Sequence, residues 1–336
     1  MIDAFVRENK LPGFRIKQFN LAYYKDFIVS FDELTTWPKE LREKLKKTVS
    51  FSTITAIKEI ESKDHGTKKV LFKRISDGKL FESVMMRHKD GRNTICVSCM
   101  IGCPLGCKFC ATGKMKFIGN LTAQEIVDQV LYFSRILKSQ KQTITNIVFM
   151  GMGEPLLNLQ EVISAIKILN SQEFMGFGIR RITISTSGVT PKIYELLKLG
   201  YKGRLALSLH APEQKLREQL MPIAKRYELT ELIRAVKAFA IRTQLRVSYE
   251  YILIDGVNDS PEQARLLADL IGEKNNELVY VNLIPYNPVV GTSFKRSSLK
   301  SVYAFAKILD NNKIPNTIRV TMGDDIKAAC GQLTTL

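Results

Sequence analysis

Apolar positions change their spacing twice along the chain, and each change marks a different kind of element. Between Leu11 and Lys25 they recur at helical spacing, with Ile16, Phe19 and Tyr23 on one face. Trp37-Pro38 opens a second helix over Lys39 to Lys47. The aromatics of this stretch read as the packed core of a small helical unit, and Arg15, Lys17 and Lys25 are left to solvent or phosphate. From Phe51 the period falls to two. Val70–Ile75 and Leu80–Met86 flank Asp77-Gly78, a hairpin signal, and Asp90-Gly91 marks a second turn before Thr94–Ser98.

Beyond the cysteine-rich loop the pattern becomes short apolar run, loop, helix, repeated. The runs are Ile144–Met150, Arg181–Thr186, Arg204–Leu209, Arg246–Leu253, Val279–Ile284 and Thr317–Thr321. Helical stretches lie near Ala123–Leu137, Leu159–Leu169, Lys192–Leu199, Leu229–Ile241, Pro261–Ile271 and Lys300–Leu309. Such alternation predicts an α/β fold of parallel strands with helices outside, closed as a full or partial β/α barrel. Three units follow: a helical accessory unit over 1–50, an antiparallel β extension over 51–92 and a barrel domain over 93–336.

Three of the six cysteines, Cys103, Cys107 and Cys110, stand in a C-x3-C-x2-C run. Three thiolates can hold three irons of a 4Fe-4S cube and leave the fourth iron open to a substrate. A zinc site built from Cys96, Cys99, Cys107 and Cys110 is the competing reading. Only seven residues separate Cys99 from Cys107, too few for a zinc ribbon, and Cys103 would be left without a role. Gly151-Met-Gly-Glu-Pro, Ser185-Thr-Ser-Gly, Ser208-Leu-His210 and Pro285-Tyr-Asn287-Pro each close a strand at its C-terminal end, the face that carries the active site in β/α barrels.

Charge adds a class of partner. Fifty Lys and Arg against 33 Asp and Glu leave +17, a balance that favours a polyanion such as nucleic acid. No stretch has the order of a signal peptide and no run reaches about 18 apolar residues, so a cytoplasmic protein without a membrane partner is expected. In that compartment clustered cysteines serve metals or catalysis more often than structural disulfides.

The cysteine run resembles the signature of radical S-adenosylmethionine (SAM) enzymes. Gly151–Asn158, Ser185–Val189, Leu207–Pro212, Asp255–Asp259, Asn282–Pro288 and Gly323–Leu333 are similar to the RlmN/Cfr methyltransferases, as are the N-terminal Leu11–Gln18 and Phe31–Thr35. The resemblance implies a radical SAM partial barrel and methylation of an adenine carbon in 23S ribosomal RNA at the peptidyl-transferase centre, before full ribosome assembly, with transfer RNA as a further candidate substrate. It implies a 4Fe-4S cluster on Cys103, Cys107 and Cys110, and SAM cradled by Gly153, Glu154, Ser185, Ser208, Leu209, His210 and Asn287. It gives Cys330 as the methyl-carrying cysteine, Cys96 as the resolving thiol that forms a transient disulfide with it, and Glu82 as the proton acceptor. A flavodoxin or ferredoxin would supply electrons to a monomer. Gly-Met-Gly-Glu-Pro-Leu-Leu-Asn at 151–158 favours the C2-methylating branch over the C8-methylating, Cfr-type branch.

Two departures accompany the resemblance. Cys99 stands where the family commonly has a small polar residue, a spare thiol beside the cluster loop. The basic segment Arg87–Asn93 replaces an often acidic one and loosens the alignment at Glu82. A non-catalytic, metal-containing RNA-binding protein would explain the charge and the loop, but it gives no use to Cys330 or Cys96.

Overall fold

The computed structural model describes residues 2–272 and 278–334. Helices α1 (Asp3–Glu8), α2 (Phe14–Asn20) and α3 (Lys39–Thr48) form the N-terminal unit. The helix expected over Leu11–Lys25 is shorter: α2 gives way to a π turn at Leu21–Lys25, which brings three successive side chains, Ala22, Tyr23 and Tyr24, into the core. Phe19, Tyr23, Phe31 and Phe51 stack or meet edge to face, as a packed aromatic core requires. Arg15 is part of that packing, lying over the Phe14 and Trp37 rings and donating to Thr36 O at 2.8 Å, whereas Lys17 and Lys25 are exposed.

The strands are β1 (Ile54–Glu61), β2 (Thr67–Arg74), β3 (Leu80–Arg87), β4 (Asn93–Cys96), β5 (Met100–Ile101), β6 (Gly119–Asn120), β7 (Asn146–Phe149), β8 (Ile182–Thr186), β9 (Arg204–Ser208), β10 (Val247–Leu253), β11 (Val279–Pro285) and β12 (Asn316–Ile318). All but β5 and β6 form one sheet in the order β1-β2-β3-β4-β7-β8-β9-β10-β11-β12. Pairing is antiparallel from β1 to β4 and parallel from β4 to β12. The hairpin extension is therefore not a separate layer. Its last strand, β3, hydrogen-bonds to β4, so extension and barrel share one sheet.

Helices α4 (Ala123–Ser139), α5 (Leu159–Asn170), α6 (Thr190–Lys198), α7 (Gln214–Leu220), α8 (Leu229–Thr243), α9 (Pro261–Ile271) and α10 (Leu299–Asn311) connect the parallel strands. Starts are set by caps: Thr122 and Glu125 close a capping box on α4, and Ser260 with Pro261 begins α9. The short α7 was not foreseen, because it interrupts a long connection without a period of its own. Side chains alternate along each strand. On β10, Tyr249 and Tyr251 pack under the helices, the latter against Phe305 of α10, and Ser248, Glu250 and Ile252 point into the barrel.

Asp128 of α4 joins the N-terminal unit to this frame. Its carboxylate accepts from Tyr23 Oη, Gln124 Nε2, Ser52 Oγ, and both the backbone nitrogen and Oγ1 of Thr53, at 2.7 to 2.9 Å. At the other end, the segment after β12 crosses back to the extension, where Lys63 N donates to Asp325 and Lys69 to Lys327 O, and to the cysteine loop, where Thr112 Oγ1 donates to Leu333 O and Ala111 N to Gly331 O. This strap carries Cys330.

Candidate active site

The cysteine loop leaves the sheet at the C-terminal end of β4 and folds against the turn after β7. Gly153 has φ +103°, and a Cβ on it would lie 2.5 Å from Met100 Cβ, so only glycine allows the two loops to touch. Asn158 fixes the contact, donating to Cys99 O at 2.9 Å and Leu121 O at 2.8 Å.

Cys103, Cys107 and Cys110 share a cavity of about 150 Å³ with Gly153, Glu154, Ser185, Ser208, His210 and Cys330. Burial pushes the three thiols up, Cys103 to about 12, and neighbouring thiols raise Cys103 and Cys107 further. A cationic centre removes that penalty by holding thiolates. Among the described residues no three His, Cys, Asp or Glu side chains close on one metal ion. Three thiols around one cavity suit a cluster that offers each a different iron, which favours the cube over zinc.

Glu154 is 2% exposed, and burial raises its carboxyl above the ordinary range. Its oxygens accept from Ser187 N at 2.7 Å and Leu156 N at 3.1 Å, leaving lone pairs for a ligand ammonium. His210 Nδ1 accepts from Ile252 N at 3.1 Å, so the ring is a neutral, oriented wall of the cavity. The other residues expected at SAM divide. Ser185 and Ser208 line the cavity; Leu209 is fully buried outside it. Asn287 also lies outside it, donating to Cys330 O at 3.2 Å and so holding the strap.

A second cavity of about 1080 Å³ fills the barrel lumen below the first. Cys96 faces it, and Met150, Glu250, Ile284, Arg319 and Cys330 border both cavities. Burial pushes the Cys96 thiol up to about 12, Cys330 adds to the rise and Arg319 opposes it. The Arg319 guanidinium is pushed above its ordinary range by the neighbouring Cys330 first, against the effect of its burial, with Glu250 and Cys96 adding to the rise. All six cysteines are free thiols, so the Cys96–Cys330 disulfide is not part of this structure. Cys99 is buried away from both cavities, with its thiol 3.7 Å from Met152 O.

Glu82 borders neither cavity. Its oxygens meet Lys69 Nζ at 3.0 Å and accept from Thr334 N at 2.8 Å, so the strap covers it. Glu250 and Arg319 escaped the reading of the sequence. Their signal was a charged residue at an inward position of β10 and another immediately after β12.

Residues 97–271 match the family model of the radical SAM superfamily. The chain is thus a radical SAM enzyme, with a 4Fe-4S cluster and SAM as its cofactors. It is 45% identical over 324 residues to the probable dual-specificity RNA methyltransferase RlmN of Thermotoga neapolitana, covering 96% of this chain and 92% of the relative. The corresponding protein of Carboxydothermus hydrogenoformans is 41% identical over 333 residues, 99% of this chain and 95% of that one. A crystal structure of a radical SAM methyltransferase from Sphaerobacter thermophilus superposes with a TM-score of 0.95 at 42% identity, covering 99% of this chain and 96% of that one. The chain belongs to the RlmN family.

Proposed function

We propose that the protein methylates C2 of an adenosine in 23S ribosomal RNA at the peptidyl-transferase centre, and of transfer RNA, by way of a methyl group carried on Cys330. The observation that carries this reading is the position of Cys330, which borders the cluster-side cavity and the lumen cavity that Cys96 also faces. Adenine C2 is not nucleophilic enough to take a methyl cation, so a radical route is required, and cluster-bound SAM supplies the hydrogen-abstracting radical.

The chain's own residues do the rest. Cys103, Cys107 and Cys110 hold the cluster; Glu154, Ser185, Ser208 and His210 hold SAM. Cys330 accepts a methyl group and, after loss of a hydrogen atom from it, forms a carbon–carbon bond to C2. Glu82 takes the C2 proton, and the adduct gives back the single electron that SAM cleavage consumed. Cys96 then attacks the Cys330 sulfur and breaks its bond to the methylene carbon, which leaves with the electron pair and takes a proton to become the methyl group; the disulfide left behind is reduced by two external electrons. A flavodoxin or ferredoxin serves as electron donor to a monomer working in the cytoplasm on RNA not yet assembled into ribosomes.

The lumen mouth supports an RNA substrate. Arg92, Arg204 and Arg246 border the cavity at the starts of β4, β9 and β10, where phosphates flanking an extruded base would lie. The test uses two variants. Cys96→Ala should purify with covalently bound RNA that survives denaturation and disappears on nuclease digestion, and Cys330→Ala should carry none. Absence of trapped RNA from Cys96→Ala would remove Cys96 from the reaction.

A further inference from the structure

The barrel lumen contains a buried acid whose hydrogen bonding is half complete. Glu250 stands midway along β10 and is 3% exposed. Its Oε1 accepts from Ser248 Oγ and from Asn282 Nδ2, both at 2.8 Å. Its Oε2 is buried with no hydrogen-bond partner among the described residues. Arg319 Nη1 stands 3.9 Å from that oxygen, close enough for charge attraction and too far for a hydrogen bond. Folded proteins seldom leave a buried carboxylate oxygen unsatisfied, because its lost hydration is not replaced. Glu250 and Arg319 both border the cluster-side cavity and the lumen cavity, as Cys330 does.

We propose that Glu250 and Arg319 read the target base: Glu250 Oε2 accepts from the exocyclic amino group of adenine, and Arg319 donates to the ring nitrogen beside it. This role rests on the reading of the protein as an adenosine methyltransferase and adds the device that selects the base. An ionised carboxylate only accepts and a guanidinium only donates. Side by side they complement an edge that offers a donor next to an acceptor, as adenine does with its amino group and adjacent ring nitrogen. Guanine and hypoxanthine put a carbonyl oxygen in place of the amino group and would meet Oε2 acceptor to acceptor. Ser248 and Asn282 fix the carboxyl plane, so the free oxygen is aimed before the base arrives.

The test compares kcat/KM of the reconstituted holoenzyme on short RNAs with adenosine, purine riboside or inosine at the target position. Wild-type enzyme should lose at least about 100-fold on purine riboside, which lacks the amino group, and more on inosine. Glu250→Gln keeps Oε1 and replaces Oε2 with a donor. It should lose about 100-fold on adenosine and bring the adenosine-to-inosine ratio to within about tenfold, or invert it. The role is overturned if wild type uses purine riboside within about threefold of adenosine, or if Glu250→Gln keeps the wild-type ratio. A rise in the SAM Kd of Glu250→Gln with the base ratio unchanged would assign the oxygen to SAM and also overturn it. Should Glu250→Gln fail to fold, the wild-type comparison decides alone. Wild-type enzyme that forms 5'-deoxyadenosine yet methylates no adenosine RNA would overturn the proposed function, and the base-reading role with it.

Discussion

His210 shows how one residue ties the site to stability. Its backbone sits in the left-handed region at φ 60°, its carbonyl accepts from Asn258 Nδ2 at 2.8 Å, and its ring meets Phe109 edge to face. Burial first, and then Arg217, pull its pKa from 6.5 to about 3. As pH falls through 6.5 the unfolded chain takes up a proton that the folded chain refuses until about 3, so this residue makes stability fall with pH across that window. His210→Asn can keep the hydrogen bond from Ile252 N without titrating. Denaturant unfolding at a series of pH values should show the acid slope reduced by about one proton, roughly 1.4 kcal/mol per pH unit at most. A spare thiol behaves differently: Cys99→Ala should leave methylation and cluster iron unchanged, because Cys99 touches neither cavity. At this scale the grouping of Cys103, Cys107 and Cys110 around one cavity was legible, since their spacing keeps the three on one short loop. Glu250 and Arg319 were not, because their meaning depends on two strands from distant parts of the chain placing them side by side.

Among the elements, α4 ties the N-terminal unit to the sheet through Asp128. The five donors that converge on Asp128 come from the N-terminal unit, the lead into β1 and α4 itself. Asp128→Ala leaves buried donors without an acceptor and should cost about 3 kcal/mol or more. Limited proteolysis should then cut near residues 48–53, and loss of the N-terminal unit from the frame would appear there before global unfolding. The parallel strands were legible because each is a short apolar run closed by polar turn residues. Fusion of the hairpin extension with the barrel was not, because pairing of β3 with β4 is a matter of register and three-dimensional path. The strap was likewise hidden: Gly323–Leu333 has no period, and its place is set by hydrogen bonds to residues more than 200 positions away.

For the whole molecule, the net charge of +17 and the arginines at the lumen mouth make one measurable expectation. RNA affinity should fall by about 10³-fold or more between roughly 50 and 200 mM salt if six or more phosphates are neutralised. Filter binding or anisotropy across that range checks it, and a flat profile would separate the charge from RNA recognition. Among the described residues no helix is long and apolar enough to cross a membrane. RNA is the partner that the family and the arginines at the lumen mouth favour.

Cys330 lies on the boundary between the two cavities, which alters what a carrier must do. Group carriers on long arms travel between a loading station and a delivery station, and the journey sets a pace of its own. A thiol built into a partition has no journey. In the proposed reaction it receives from one side and gives to the other by turning about its own side-chain bonds, a motion far faster than any segment swing. Turnover in such a design should not slow in proportion to solvent viscosity at saturating substrates, as long as product release is not the slow step.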